Sequence, residues 1–367
     1  MACLAIDGQV VRHQPSLADL LEKFVCVRVV QANGIDLSLC QFDYDLTWAV
    51  LFLNADRTIY GRYGTRASRE LAKEISVEGF RKAMEGALDL HKNYPAIKET
   101  LAGKTGPAPQ VKVPEAYPML RKVGYTATVS SRNPAGGNPG ACIHCHQINN
   151  NVYRSYRGVS TPIPDHVLWA YPPPNVLGLE LDVNERATVK AVAPGSPAAK
   201  DGFKAGDQIL TLGGQAILSI ADVQWVLHQS KKEPDQLNAG VKRSGVLESL
   251  TLHLAKGWRK QGDFSWRACN GIISLLPEGS HDLTADEKKK LGLSPDAIAI
   301  QVLWNGRGFQ KNDVIVEVDG QRNGMTTSDF IAYTVQKKKP KEKIALAVLR
   351  AGQEHTMQVE VREAPIE

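Results

Sequence analysis

One stretch of this chain occurs twice. Pro194-Gly195-Ser196-Pro197-Ala198 leads into Gly202-Phe203-Lys204-Ala205-Gly206-Asp207-Gln208-Ile209-Leu210. Roughly a hundred residues later, Gly308-Phe309-Gln310-Lys311-Asn312-Asp313-Val314-Ile315 repeats the second half of that wording, with Asn312 in place of the last glycine. Glycines at fixed offsets mark tight turns, and the apolar run after the aspartate marks a strand. Similar flanks surround both copies. Thr188–Val192 and Asp296–Val302 read as strands on the N-terminal side. Ser219–Gln229, with Ile220, Val223 and Leu227 on one face, and Ser328–Gln336 read as helices on the C-terminal side. Ser249–Leu254 closes the first copy, and Lys343–Val348 with Thr356–Val361 closes the second. The pattern predicts two mainly-β (α+β) modules, at 175–257 and 264–363.

Val176-Leu177-Gly178-Leu179-Glu180-Leu181 precedes the first copy. With Pro194–Ala198 and Gly202–Leu210 it makes 175–257 resemble a PDZ domain, and the recurrence makes 264–363 resemble a degenerate second one. The resemblance implies docking of a protein or peptide C-terminus. Backbone N–H groups of Leu177, Gly178 and Leu179 would take the terminal carboxylate, and the strand running on from Leu179 would accept the peptide as an added strand. Gly178 is required where the loop turns tightly. The competing expectation is a groove filled from within the chain. In the second copy Leu291-Gly292-Leu293 is the one candidate loop, so a structural or interdomain role is expected there.

The first 98 residues carry a different pattern. Pro15-Ser16-Leu17 opens a short helix with Leu17, Leu20, Leu21 and Phe24 on one face. Phe24–Val30 is a β-branched run expected as a strand buried on both faces. Trp48–Leu53, the turn Asn54–Arg57 and Thr58–Tyr63 predict a hairpin. Ser68–His91 predicts a long helix burying Leu71, Ile75, Phe80, Met84 and Leu88. This order resembles the second half of a thioredoxin fold, so 1–98 is expected to be an N-terminally incomplete α/β thioredoxin-like domain. The resemblance makes Cys3 a resolving thiol whose attacking cysteine or selenocysteine would lie upstream of Met1. The sequence departs from that family where Asp45-Leu46-Thr47, and no proline, precedes the hairpin strand. Cys26 and Cys40 lie in apolar surroundings and are expected to be buried thiols.

Residues 99–174 are rich in proline and glycine and are expected to be irregular. Within them stands Cys142-Ile143-His144-Cys145-His146. Cys-x-x-Cys-His is the attachment pattern of c-type haem: two thiols one helical turn apart meet the porphyrin vinyls, and the adjacent imidazole meets the iron. Cys142, Cys145 and His146 are the candidate haem c residues, with Met119 or His166 as a sixth ligand. Copper or zinc on Cys142, His144, Cys145 and His146 is the alternative; a thiol pair with no cofactor is the third reading. Tyr153, Tyr156, Trp169 and Tyr171 with Arg154 and Arg157 would wall such a site, and Pro172-Pro173-Pro174 makes a stiff linker.

Composition removes several classes. A net charge of +5 over 367 residues is too small for a nucleic-acid footprint. No apolar run is long enough for a transmembrane helix. No serine sits on a nucleophile elbow, and no protease triad, P-loop or dinucleotide fingerprint is legible. Read from Met1 the chain is cytoplasmic; haem attachment would demand a periplasmic or otherwise extracytoplasmic site and a start truncated in the sequence. The expected function is therefore a redox or electron-transfer adaptor that docks partners through its PDZ groove, a combination that also resembles some magnetosome-associated proteins. The alternatives are a non-catalytic docking scaffold and a thiol or selenol oxidoreductase.

Overall fold

The structure, a computed structural model, describes residues 15–29, 31–46, 48–67, 75–123, 142–267 and 273–362. The chain divides into two compact units, Met1–Cys145 with Trp169–Gly262, and His146–Leu168 with Asp263–Glu367. The first unit opens with a short helical turn at Pro15–Leu21 and the antiparallel hairpin β1 (Val50–Leu53) and β2 (Ile59–Tyr63). Helix α1 (Val77–Lys92) follows, capped by Ser76, whose Oγ accepts the Gly79 N–H at 2.9 Å. Leu17, Phe52, Tyr60, Tyr63, Phe80 and Met84 form one apolar cluster, in which Trp48 meets Phe80 edge-on at 5.3 Å.

Two sequence expectations change here. Residues 24–29 belong to no strand, and Val25, Val27 and Val29 are 95%, 81% and 65% exposed. A strand buried on both faces needs neighbours at both edges and covers on both faces, and the described residues supply neither. Cys26 is accordingly exposed, and no thioredoxin-type sheet forms among the described residues. Nor is 99–174 irregular throughout, for α2 (Cys145–Gly158) runs 14 residues.

The first PDZ-like segment follows the sequence closely. Strands β3 (Leu179–Leu181) and β4 (Val189–Val192) pair, then come α3 (Pro197–Lys200), β5 (Gln208–Leu212), β6 (Gln215–Ala216), α4 (Ile220–Gln229), β7 (Asp235–Arg243) and β8 (Val246–Leu254). The second sheet runs β6-β5-β7-β8, and a Thr188–Gln208 bridge joins β4 to β5. Leu177, Leu179, Leu181, Ile209, Val223, Leu227, Val241 and Leu252 fill the core. The opposite face of α4 is covered by the N-terminal segment of the same unit. Asp222 and Lys104, both wholly buried, pair at 2.8 Å, and the Arg62 guanidinium lies 3.6 Å over the Trp225 ring. Arg62 donates to the carbonyls of Gln41 and Lys104, and Trp225 donates to Gly103 O. Gly61 is obligatory there, since a Cβ would fall 2.6 Å from Leu218 and 2.7 Å from Asp222.

The second unit carries one five-stranded sheet. Its elements are β9 (His281–Asp282), α5 (Ala285–Lys290), β10 (Ile300–Gln301), β11 (Val314–Val318), α6 (Thr327–Gln336), β12 (Lys343–Arg350) and β13 (Gln353–Glu360). The order β13-β12-β11-β10-β9 reproduces β8-β7-β5-β4-β3 of the first module. The repeated aspartates do the same work in both. Asp207 is bound by Arg243 at 2.7 Å and by the Lys204 N–H. Asp313 is bound by Arg350 at 2.7 Å and by the Gln310 N–H. Each arginine also donates to the glycine that opens the repeated wording, Gly202 or Gly308. Leu291-Gly292-Leu293 is the C-terminal turn of α5, placed after β9 rather than before it, so it is not a groove loop. The residues leading into β9 are Leu275-Leu276-Pro277-Glu278. Residues 163–165 pack on α6, where Gln336 Nε2 donates to Ile163 O and Asp165 Oδ1, both at 2.8 Å.

Candidate functional site

The residues singled out for docking lie together at the edge of the first module. Pro174–Leu177 forms one tight turn that ends on Gly178 at φ +86°. Any other residue is excluded at Gly178, because a Cβ would fall 2.2 Å from the Ser196 side chain. Ser196 is fixed in turn as the cap of α3, accepting the Ala199 N–H. The Gly178 N–H donates to Asn175 O at 2.9 Å, so this donor already closes the turn. Gly178 O accepts from Ala193 N, and Leu179 lies opposite Val192. Alternation along an antiparallel pair then turns the Leu179 N–H and C=O away from β4, toward the side where no strand pairs with β3 among the described residues. The loop thus offers an open main-chain edge beginning at Leu179, with Leu177, Leu179 and Leu181 buried behind it.

Across from β3, α4 is held by the segment that enters the loop. Tyr171 stacks on His228 with centroids 4.2 Å apart, its N–H donates to His228 Nδ1 at 3.3 Å, and its carbonyl accepts from Gln224 Nε2 at 3.3 Å. Thr65 donates to the Oε1 of the same Gln224. Sequence reasoning missed Gln224 and His228. Their spacing of four on α4 was the available signal. Beneath the site, burial pushes the Asp207 carboxyl up, but the bonds from Arg243 and Lys204 outweigh it and hold it below the usual carboxylate range.

The cysteine motif is tied to the N-terminal segment. Cys142 Sγ meets Gln31 Oε1 at 3.2 Å, Ile143 donates to Asn33 Oδ1 at 2.7 Å, and Ala32 donates to Ile143 O. Cys145 and His146 open α2. Cys142 and Cys145 are not joined in a disulfide. Among the described residues no three His, Cys, Asp or Glu side chains converge as a metal site, so Cys142, His144, Cys145 and His146 are not assembled as a ligand set. Met119 lies half-buried on the short helix Pro118–Val123, and His166 on Asp165–Leu168. Cys3 lies outside the described residues.

Comparison with known proteins places the docking site in a family. Residues 175–254 match the PDZ domain model. A probable periplasmic serine endoprotease, DegP-like, of Pseudomonas savastanoi pv. phaseolicola is 31% identical over 180 residues, 47% of this chain and 36% of that protein. The periplasmic pH-dependent serine endoprotease DegQ of Escherichia coli is 33% identical over 148 residues, 39% of this chain and 30% of that protein. The solved structure of the HtrA-type protease AlgWS227A with decapeptide aligns with 36% of this chain and 49% of that one, at 20% identity and a TM-score of 0.23. The chain thus spans about a third of the length of the curated relatives it matches.

These relatives overturn the redox reading. The relatives it matches, over 39–47% of this chain, are described as serine endoproteases, which points away from an electron-transfer or thiol or selenol oxidoreductase function. The thioredoxin-like and haem-protein resemblances drawn from Trp48–Tyr63 and Cys142–His146 are set aside with it. Of the two thiols, Cys142 meets Gln31 of a neighbouring loop.

Proposed function

We propose that this chain is an extracytoplasmic docking protein that captures the C-terminal end of another polypeptide at the first module. The open edge of β3 carries the reading. An extended peptide would add antiparallel to Leu179–Leu181, with its carboxylate at the Leu177–Gly178–Leu179 turn and its last side chain over Leu177, Leu179 and Leu227. The periplasmic names of the relatives support the compartment. A labelled peptide with a free aliphatic C-terminus tests it. Binding should weaken at least about tenfold when the C-terminus is amidated, and again in Gly178→Ala. Equal binding of acid and amide would exclude carboxylate capture.

The serine endoprotease relatives support a second reading, in which the docked polypeptide is destined for hydrolysis. In the described residues His253 Nδ1 meets Asp201 at 2.8 Å with no serine hydroxyl on that ring. A casein assay separates the two readings. Cleavage blocked by a serine-directed fluorophosphonate would put the hydrolytic group in this chain. Peptide binding with no cleavage leaves docking as its own contribution.

A further inference from the structure

We infer that the first groove is a ruler, reading only about four C-terminal residues of a docked polypeptide because helix α1 closes its far end. Docking at β3, as proposed above, is presupposed. A peptide added antiparallel to β3 exchanges main-chain hydrogen bonds only with residues whose N–H and C=O face away from β4. Gly178 and Asp182 are turned the other way, since Gly178 O accepts from Ala193 N at 2.9 Å and Asp182 N donates to Thr188 O at 2.8 Å. Glu180 lies between them, opposite Ala191. Leu179 and Leu181 are therefore the outward positions. With its carboxylate at the Leu177–Gly178–Leu179 turn, the peptide sets its last residue beside Leu179 and its third from last beside Leu181. Its fifth from last would fall beside Val183.

Val183 is already engaged. Its carbonyl accepts the Ser76 hydroxyl at 2.8 Å. The same Ser76 oxygen accepts the Gly79 N–H at 2.9 Å as the cap of α1, so the first turn of α1 sits on the Val183 carbonyl. Gly79 permits the approach, since a Cβ there would fall onto Val183 O. Tyr63 fixes Ser76 from behind: its hydroxyl donates to Ser76 O at 2.6 Å and accepts the Ser76 N–H at 3.1 Å. Two more contacts hold the turn after β3 against α1. Lys82 pairs with Glu185, and a Cβ on Gly86 would fall 2.8 Å from the Arg186 guanidinium carbon. A tail that continues past about its fourth residue must therefore lift off the strand. The partner that fits is a polypeptide whose C-terminal end is free of secondary structure, extended along β3 and then able to bend away. Helix α1 lies outside the residues 175–254 that match the PDZ domain, so the limit belongs to this chain's own architecture.

Backbone N-methylation of the peptide tests this on the unaltered full chain. A fluorescein-labelled octapeptide free acid with an aliphatic last residue is compared with two singly N-methylated copies. Methylation of the third-from-last amide removes the donor to Leu181 O and should weaken binding about tenfold. Methylation of the fifth-from-last amide should change it by less than about twofold. The final four residues alone, as an N-acetylated tetrapeptide, should compete within about threefold of the unlabelled octapeptide. A loss at the fifth position comparable to that at the third overturns the ruler and leaves docking at β3 in place. So does a tetrapeptide more than about tenfold weaker than the octapeptide. Equal binding of all three labelled peptides, or binding of none, removes peptide addition at β3 and the ruler with it.

Discussion

At the scale of single residues, the fold rests on charges that have been taken out of water and paired. Asp222 is the most demanding. It forms an ion pair with Lys104 Nζ at 2.8 Å and accepts the N–H groups of Leu218 at 2.9 Å and Arg62 at 3.2 Å. Burial drives the Lys104 pKa down, and Asp222 pulls it back. Removing the acid leaves an unpaired buried ammonium and two unsatisfied N–H groups. Asp222→Ala should therefore cost about 3–5 kcal/mol in urea unfolding, more than Lys104→Met, which leaves the carboxylate two backbone partners. The Asp207 and Asp313 pairs set the acid limit. Burial raises each carboxyl, but the bonds from Arg243 or Arg350 and from one backbone N–H win, so both are lowered in the folded protein. A lowered folded pKa gives stability that is present above the unfolded value and is lost as pH falls through the folded one. The melting temperature should drop steeply below about pH 4, and Asp313→Asn should flatten that drop in the second unit.

At the scale of elements, the sequence was most legible where turn chemistry and periodicity agreed. The repeated wording at Gly202–Asp207 and Gly308–Asp313 placed β5 and β11, and the helix pattern placed α4 and α6 to within about two residues. Phe24–Val29 was misread because a β-branched run states a preference for extended backbone and is silent about partners. The structure places these residues in no sheet. Val27→Lys therefore separates the two readings. With Val27 at 81% exposure, the change should alter stability by no more than about 0.5 kcal/mol in chemical denaturation. A strand buried on both faces would lose several times that. The Gln224 and His228 contacts with Tyr171 were illegible for another reason. They join residues more than fifty apart that only the packed module brings together. The cysteine motif shows the converse, a strong local pattern whose side chains the structure does not gather.

At the scale of the whole molecule, the PDZ segment is not a bead on a string. The sequence put a domain boundary near residue 175, and the family match likewise begins there. Yet the outward face of α4 is an interior surface. Trp225 is 1% exposed under the Arg62 guanidinium, its Nε1 is bonded to Gly103 O, and a Cβ on Gly106 would lie 2.9 Å from its ring. Ser219 donates to Arg62 O, and Ser76 and Lys82 reach Val183 O and Glu185. A protein cut to 175–257 would present Trp225, Asp222 and Leu218 to water without their partners. Trp225 is the one tryptophan within 175–257, so its fluorescence reports this face alone. Emission from the excised module should be red-shifted, and its urea stability should fall by at least about 2 kcal/mol relative to residues 15–262, the loss expected for uncovering one large aromatic side chain. Equal stability of the two would show that the N-terminal segment merely rests on α4. The predicted loss would mean that this segment is part of the wall against which the docking groove is built, so that changes in residues 61–106 are felt at β3 without touching a bound peptide.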